Sequence, residues 1–384
     1  MMNEIVVAAS IYFGVMALLF MLSKHFDWEK RGVTVGPLFL ILKTSHLNKK
    51  LESISRRGRR LWRVMANIGV PLAIGQMVYI IYFMSQNLFN LTYKTSEAAG
   101  MVLLLPGLTV SLETLPYIIV ALAVVLVTHE SAHALAGLTD SVPLKSAGIF
   151  LAFVIPGGFV ELDEEHLERS PLSTKLRVYS AGSSANLAAW MLVTLLFINF
   201  TATLSPLYEG PSGILVSGIV PGGGASDAGL AKWDVIYSIN GQPIKSVDEL
   251  SKFMGRVQPG EALSLLTDKG RVEVVTKPHP QDPSRALIGI YPFNYYPPKY
   301  FMPKELPYHL YYAEYWTSVL LVWIAIFNML PLYPLDGDKV LHSIVSSRSK
   351  SAAKRVRIAS SIVFTSIVGL NIAMSFTNFG LIRV

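Results

Sequence analysis

The chain has 384 residues, 52% of them hydrophobic and 15% charged, where a soluble domain carries about 25% charge. The deficit gathers in long apolar runs, which excludes an ordinary soluble protein and indicates a polytopic α-helical membrane protein in a lipid bilayer. No cysteine is present, which excludes disulfides and thiolate metal sites and leaves His, Asp and Glu as strong metal ligands. The formal charge is +7, but the basic residues cluster at Lys43 to Arg63 and Arg348 to Arg357 beside apolar runs. That is the pattern of cytoplasmic loops, and no nucleic-acid partner is expected.

About six transmembrane helices are predicted, each long enough for a ~30 Å hydrocarbon core. They run roughly from Ile5 to Leu22, Ile68 to Leu91, Leu115 to Leu138, Leu176 to Phe200, Tyr312 to Leu332 and Ile358 to Phe376. Met1 to Glu4 lacks the basic start of a cleavable signal peptide. The shorter run Met101 to Val110 is broken by Pro106-Gly107 and suits a re-entrant or interfacial element. After the third span, Ala147 to Val160 is hydrophobic and β-favouring and contains Pro156-Gly157-Gly158. It reads as a membrane-associated β-hairpin beside that span. Its edge either pairs with an unwound substrate or serves structure alone, and the residues do not choose between these roles. The acidic run Glu161, Asp163, Glu164, Glu165 and Glu168 reads as a solvated face.

Between the fourth and fifth spans, residues 211–292 gain Gly, Pro, Asp and Lys, and short strand-like runs alternate with turns. Gly213-Ile214-Leu215-Val216, Pro221-Gly222-Gly223-Gly224-Ala225, Ala228-Gly229-Leu230 and Asp234 to Gly241 together look like an inserted PDZ domain, β-rich and α+β. Asn240-Gly241 marks a tight hairpin turn. The resemblance implies an extended peptide partner whose C-terminal carboxylate meets backbone amides, with Gly213, Ile214, Leu215 and Val216 expected as that loop. The expected division is 1–205 and 299–384 for two parts of a membrane domain, and 206–298 for the PDZ domain. Charge places the two basic loops in the cytoplasm and, by counting crossings, the insert and both termini outside.

The third span ends in His129-Glu130-Ser131-Ala132-His133. Histidines four apart on a helix share a face and can reach one zinc ion, with Glu130 beside them to take a proton from water. A catalytic zinc needs a third protein ligand. His25, His46, His166, His279, His309 and His342 lie in loops or near span ends and read as ordinary polar residues. Asp336 is the best candidate. It follows Asn328-Met329-Leu330-Pro331-Leu332-Tyr333-Pro334-Leu335, where two prolines break helical hydrogen bonding, and it lies at the same end of the spans as His133. Alone it would read as a helix-ending Asp-Gly turn.

These motifs resemble the site-2 protease family of intramembrane zinc metalloproteases. The resemblance rests on His129-Glu130-x-x-His133 and on Asn328-x-x-Pro331-x-x-Pro334-x-Asp336-Gly337. Pro106-Gly107, Gly157 to Glu161, Ser180-Ala181-Gly182 with Asn186, and the insert extend it over most of the chain. It implies one zinc per chain, held by His129, His133 and Asp336, with Glu130 as general base and acid. Asn328 and Asn186 would orient substrate or stabilise an oxyanion. The implied function is cleavage of transmembrane segments of membrane-anchored proteins, with the active site toward the cytoplasm. Two departures stand out: Asp338 occupies a position that is Gly in many members, and Ser183-Ser184 replaces a proline before Asn186. Two competing classes are a catalytically inactive membrane-anchored PDZ scaffold, against which the intact Glu130 argues, and an ion transporter, which would need polar residues through both leaflets.

Overall fold

The structure, a computed structural model, describes residues 2–44, 48–152 and 155–383. His46 and the Phe153-Val154 pair of the expected hairpin lie outside the described residues. The chain divides into two compact units, residues 1–193 with 316–384, and residues 194–315. The second encloses the 206–298 segment.

In the first unit, α1 (Met2–His25) leads to β1 (Val33–Val35), β2 (Phe39–Thr44), α2 (Asn48–Arg57) and α3 (Arg59–Tyr93). Next come α4 (Leu115–Thr139), β3 (Leu144–Ala152), β4 (Ile155–Leu162), α5 (Glu164–Arg169) and α6 (Leu172–Ile198). The expected hairpin strands, β3 and β4, pair antiparallel and form one side of a four-stranded sheet of order β1-β2-β3-β4, so β4 is an edge.

Helix α4 begins with Pro116 in its first turn, where a missing N–H costs nothing. One face, Ile118, Ala121, Val125 and His129, is buried at helical spacing, so the stripe that packs the core also carries the first histidine inward. Cations secure its C-terminal end. Arg59 Nε donates to the Thr139 carbonyl at 3.0 Å, and Asp140 pairs with Arg177 at 2.5 Å and Arg63 at 3.1 Å. Positive charge there complements the helix dipole.

The second unit holds α7 (Phe200–Leu204), β5 (Gly213–Ile219), α8 (Gly224–Asp227), β6 (Val235–Ile239), β7 (Gln242–Pro243) and α9 (Val247–Met254). It continues with β8 (Ala262–Thr267), β9 (Gly270–Val275), β10 (Lys277–Pro278), β11 (Ala286–Leu287) and β12 (Ile290–Tyr295). The main sheet has the order β12-β5-β6-β8-β9, with β7 paired to β6. Asn240 and Gly241 turn from β6 to β7 with φ of 49° and 78°, as the Asn-Gly pair predicts. Ile214, Val216, Ile236, Ile239, Leu263, Leu265 and Val274 form its core.

Here one expectation is corrected. Gly213, Ile214, Leu215 and Val216 are not an open loop. They begin β5, which is hydrogen-bonded to β12 on one side and β6 on the other, and all four are buried. A strand paired on both edges has no free amides for a peptide carboxylate.

The remaining elements are α10 (Leu306–Phe327), α11 (Asp336–Ser346) and α12 (Lys350–Phe379). Among the described residues, five helices are long and apolar enough to cross a membrane: α3, α4, α6, α10 and α12. The described apolar stretch of α1, Tyr12–His25, is shorter than a span, so the count is five where six were expected. Large apolar side chains such as Ile119, Val120, Val127, Met191, Leu192, Ile358 and Ile362 point outward from these helices. With the β domain, they make this a multi-pass helical membrane protein. Polar pairs lie within it: Asn87 on α3 donates to Asn371 on α12 at 3.0 Å, and Asn371 donates to the Met84 carbonyl.

Helix α10 stops at Phe327, earlier than its hydropathy suggests. Met329 and Leu330 bond to carbonyls three residues back, the chain turns through Pro331 and the cis Tyr333-Pro334 bond, and α11 starts at Asp336. Gly337 closes the turn by donating to the Asn328 carbonyl at 2.9 Å. A Cβ on Gly337 would lie 2.1 Å from the Met329 carbonyl oxygen, so only glycine allows this approach.

Candidate metal centre

Three side-chain atoms converge where α4 meets the start of α11. His129 Nε2 and His133 Nε2 lie 3.1 and 3.0 Å from the same oxygen, Asp336 Oδ2, and 3.1 Å from each other. His129 and Asp336 are buried, at 6% and 3% exposure. Among the described residues, this is the one group of three or more such side chains close enough to share a metal ion.

The outer ring nitrogens settle which atoms face inward. His133 Nδ1 lies 2.6 Å from the Val178 carbonyl of α6, which can only accept, so Nδ1 carries the proton and Nε2 keeps a lone pair. His129 Nδ1 lies 3.3 Å from the Asn186 side-chain amide, whose Oδ1 has no other partner. Turning that oxygen toward the ring satisfies it and places the His129 proton on Nδ1. Three potential ligand atoms then face one another, close enough to share one cation. Ligands around tetrahedral zinc, bonded at about 2.0–2.1 Å, stand ~3.3 Å apart. The donor set therefore fits zinc, with one position left over.

A cavity of about 810 Å³ opens onto this triangle. His129, Glu130, His133, Asn328, Asp336 and Lys339 line it together with Gly157 to Leu162 of the edge strand β4. Gly158 permits the close approach of Glu130, since a Cβ there would meet Glu130 Cγ at 3.0 Å. Asn328, one residue past α10, brings its Nδ2 to 2.9 Å from His129 Nε2. Glu161 on β4 is held below the usual carboxylate range by the Lys43 ammonium and the Ser146 hydroxyl, so it stays ionised at the cavity wall. Glu164 and Glu168 of the acidic run also line the cavity, and three of the run's carboxylates have partners. Asp163 caps α5 and meets Lys145, Glu165 pairs with Arg169, and Glu168 pairs with Lys175.

The structure thus brings His129, Glu130, His133, Asn328 and Asp336 to one site. Asn186 is fully buried behind His129 and does not line the cavity. Gly213 to Val216 belong to the core of the other unit. Three features of the site have no role assigned from sequence. The Val178 carbonyl carries no sequence signal. Gly182 leaves room for both imidazoles, since its Cβ would lie 2.4 Å from His133 Nε2 and 2.6 Å from His129 Nε2. Lys339 Nζ reaches Asp336 Oδ1 at 3.0 Å, and its signal is its place one helical turn after the aspartate. Asp338 is neutralised by Arg357 of α12, whose Nε donates to Oδ1 at 3.1 Å.

Residues 117–370 match Peptidase family M50. An uncharacterised protein of Methanocaldococcus jannaschii is 27% identical over 316 residues, 80% of this chain and 78% of that protein. A protein of Arabidopsis thaliana named membrane-bound transcription factor site-2 protease homolog is 27% identical over 213 residues. That match covers 54% of this chain, which spans only 40% of the Arabidopsis protein's length. Among solved structures, the PDZ domain of an SdrC-like protein from Listeria monocytogenes is 20% identical with a TM-score of 0.20, covering 21% of this chain and 87% of its own. A protein from Geobacillus thermodenitrificans is 26% identical with a TM-score of 0.19, covering 21% of this chain and 95% of its own.

Proposed function

The chain belongs to peptidase family M50, and from that premise we propose that it is a zinc-dependent intramembrane endopeptidase that cuts transmembrane segments of membrane-anchored proteins. The observation that carries the reading is the convergence of His129, His133 and Asp336 within 3.1 Å on the wall of a cavity that Glu130 shares. His129 Nε2, His133 Nε2 and Asp336 Oδ2 would hold one zinc ion, which supplies a Lewis acid and makes water nucleophilic near neutral pH. Val178 and Asn186 keep the two imidazoles in the ligating tautomer.

Glu130 takes the proton of the attacking water and returns it to the leaving amine. The Asn328 amide donates toward the developing carbonyl oxyanion. A helical substrate hides its carbonyls, so the segment to be cut must unwind, and the edge strand β4 offers it backbone pairing beside Glu130. Outward Phe39, Leu42 and Ile149 on the same sheet favour a hairpin that touches the bilayer. Arg59, Arg63 and Arg177 at the end of α4 support an active site toward the cytoplasm, and counting crossings from there puts the PDZ-like unit on the other side. A peptide partner of that unit would add along an edge strand, β12 or β9, because β5 has no free edge. Deleting residues 211–292 is then expected to change which substrates are cut while zinc stays bound.

Glu130→Gln decides between an enzyme and an inactive scaffold. The variant is expected to bind one zinc per chain and to leave a membrane-spanning reporter intact, while Asp336→Ala loses the zinc. Equal cleavage by Glu130→Gln and the parent chain would refute the enzyme.

A further inference from the structure

We infer that Lys339 is a positioning residue that reserves one oxygen of the metal carboxylate, holding Asp336 Oδ1 so that Oδ2 alone faces the metal position. The inference rests on the zinc reading above. Asp336 opens α11 and Lys339 follows one turn later on the same face. Lys339 Nζ donates to Oδ1 at 3.0 Å, while Oδ2 lies 3.1 and 3.0 Å from the two imidazole nitrogens. The two oxygens of one carboxylate are thus given to two different partners.

Three further observations support the assignment. Asp336 is 3% exposed, so bulk water does not satisfy Oδ1, and a buried carboxylate oxygen needs a strong donor. The ammonium also lies 5.8 Å from the centroid of the Tyr179 ring on α6, a second contact from another element. The neighbouring acid, Asp338, has its own cation in Arg357, so Lys339 is free to serve Asp336. The consequence concerns coordination number. A carboxylate that binds through both oxygens takes two places around the metal, whereas one whose second oxygen is engaged takes one and leaves a place for water.

The test uses the full chain purified in detergent, with Lys339→Met and Lys339→Arg variants. Zinc affinity is measured by chelator competition, coordination by the visible spectrum of the cobalt-substituted protein, and folding by melting of the metal-free forms. Lys339→Met is expected to bind zinc about 10–100-fold more weakly. Its cobalt spectrum should shift from the intense bands of four-coordination toward weaker five-coordinate ones, and its metal-free melting should match the parent. Lys339→Arg should recover affinity and spectrum. A Lys339→Met protein with parental affinity and spectrum overturns the inference. So does an arginine variant as impaired as the methionine one, or a metal-free Lys339→Met protein that is unfolded. A parent chain that binds no zinc overturns the zinc reading itself, and the inference with it.

Discussion

Replacing Gly182 with alanine places one methyl group against both imidazoles of the candidate metal centre. Its Cβ would stand 2.4 Å from His133 Nε2 and 2.6 Å from His129 Cε1 and Nε2. To restore ordinary contact at 3.4 Å, the His133 tip must retreat about 1.0 Å and the His129 tip about 0.8 Å. Metal–ligand distances tolerate only about 0.2 Å, so both histidines leave bonding range unless α6 itself moves. Second-sphere losses cost 10–100-fold in metal affinity, and displacement of two ligands should exceed ~100-fold. Helix propensity works the other way, since alanine favours a helix over glycine by ~1 kcal/mol. Loss of zinc therefore cannot be blamed on a weakened α6. Zinc retained against a chelator, measured on the purified full chain alongside metal-free melting, checks this. Gly75→Ala on α3, with nothing within 4 Å of its added Cβ, is the control. Parental zinc affinity in Gly182→Ala would show that the imidazoles do not bind metal where the geometry puts them.

Other outcomes follow from the same geometry. Asn186→Ala removes the partner of His129 Nδ1, 3.3 Å away, and should weaken zinc binding by ~10–100-fold without abolishing it; isothermal titration showing unchanged affinity would count against an orienting role. Asp140→Ala strips a carboxylate of 4% side-chain exposure from Arg177 and Arg63. Because both arginines left behind are partly exposed and keep other partners, the loss is that of a charged hydrogen bond, about 2 kcal/mol; an unchanged thermal midpoint would show the cluster to be idle. In the unit formed by residues 194–315, burial opposes ionisation of Asp268, yet the Lys304 ammonium and the Val235 N–H hold its carboxyl below the usual value of 3.8. A lowered carboxyl pKa stabilises the fold above the unfolded value and loses that contribution as pH falls through the folded one. Asp268→Asn should therefore weaken hydrogen-exchange protection in this unit at pH 7 and reduce its loss on acidification below about pH 4; identical acid sensitivity in the variant would refute the pairing.

Much of the candidate metal centre is legible in the order of residues along the chain. His129, Glu130 and His133 lie within five residues on one helix, and helical periodicity alone puts the two imidazoles on one face. Asp336 and Asn328 are marked by two prolines that cannot continue a helix, and both arrive at the site. Two expectations fail, for different reasons. Hydropathy carries the fifth span through Leu332, although the chain leaves the helix at Phe327, and Gly213 to Val216 read as a loop, although they form part of a central strand. Apolar runs record burial, which looks alike in a helix and in a turn packed among helices, whereas the loop comes from the PDZ resemblance, and the pairing of β5 with β12 and β6 overrides it.

By itself, the sequence determined the membrane-spanning character, the chemistry of the donor set and the fact that the site is split between two motifs. These depend on composition and on neighbours within a few residues. Tertiary structure alone decided how the halves meet. His129 and Asp336 are 207 residues apart in the chain, yet their ligand atoms lie 3.1 Å apart. It also assigned Val178 and Asn186 to the outer ring nitrogens, Lys339 to the spare carboxylate oxygen and Gly182 to the space between α6 and the imidazoles. Such pairings are set by packed backbones at fixed separations, a long-range property that no local pattern of residue types encodes.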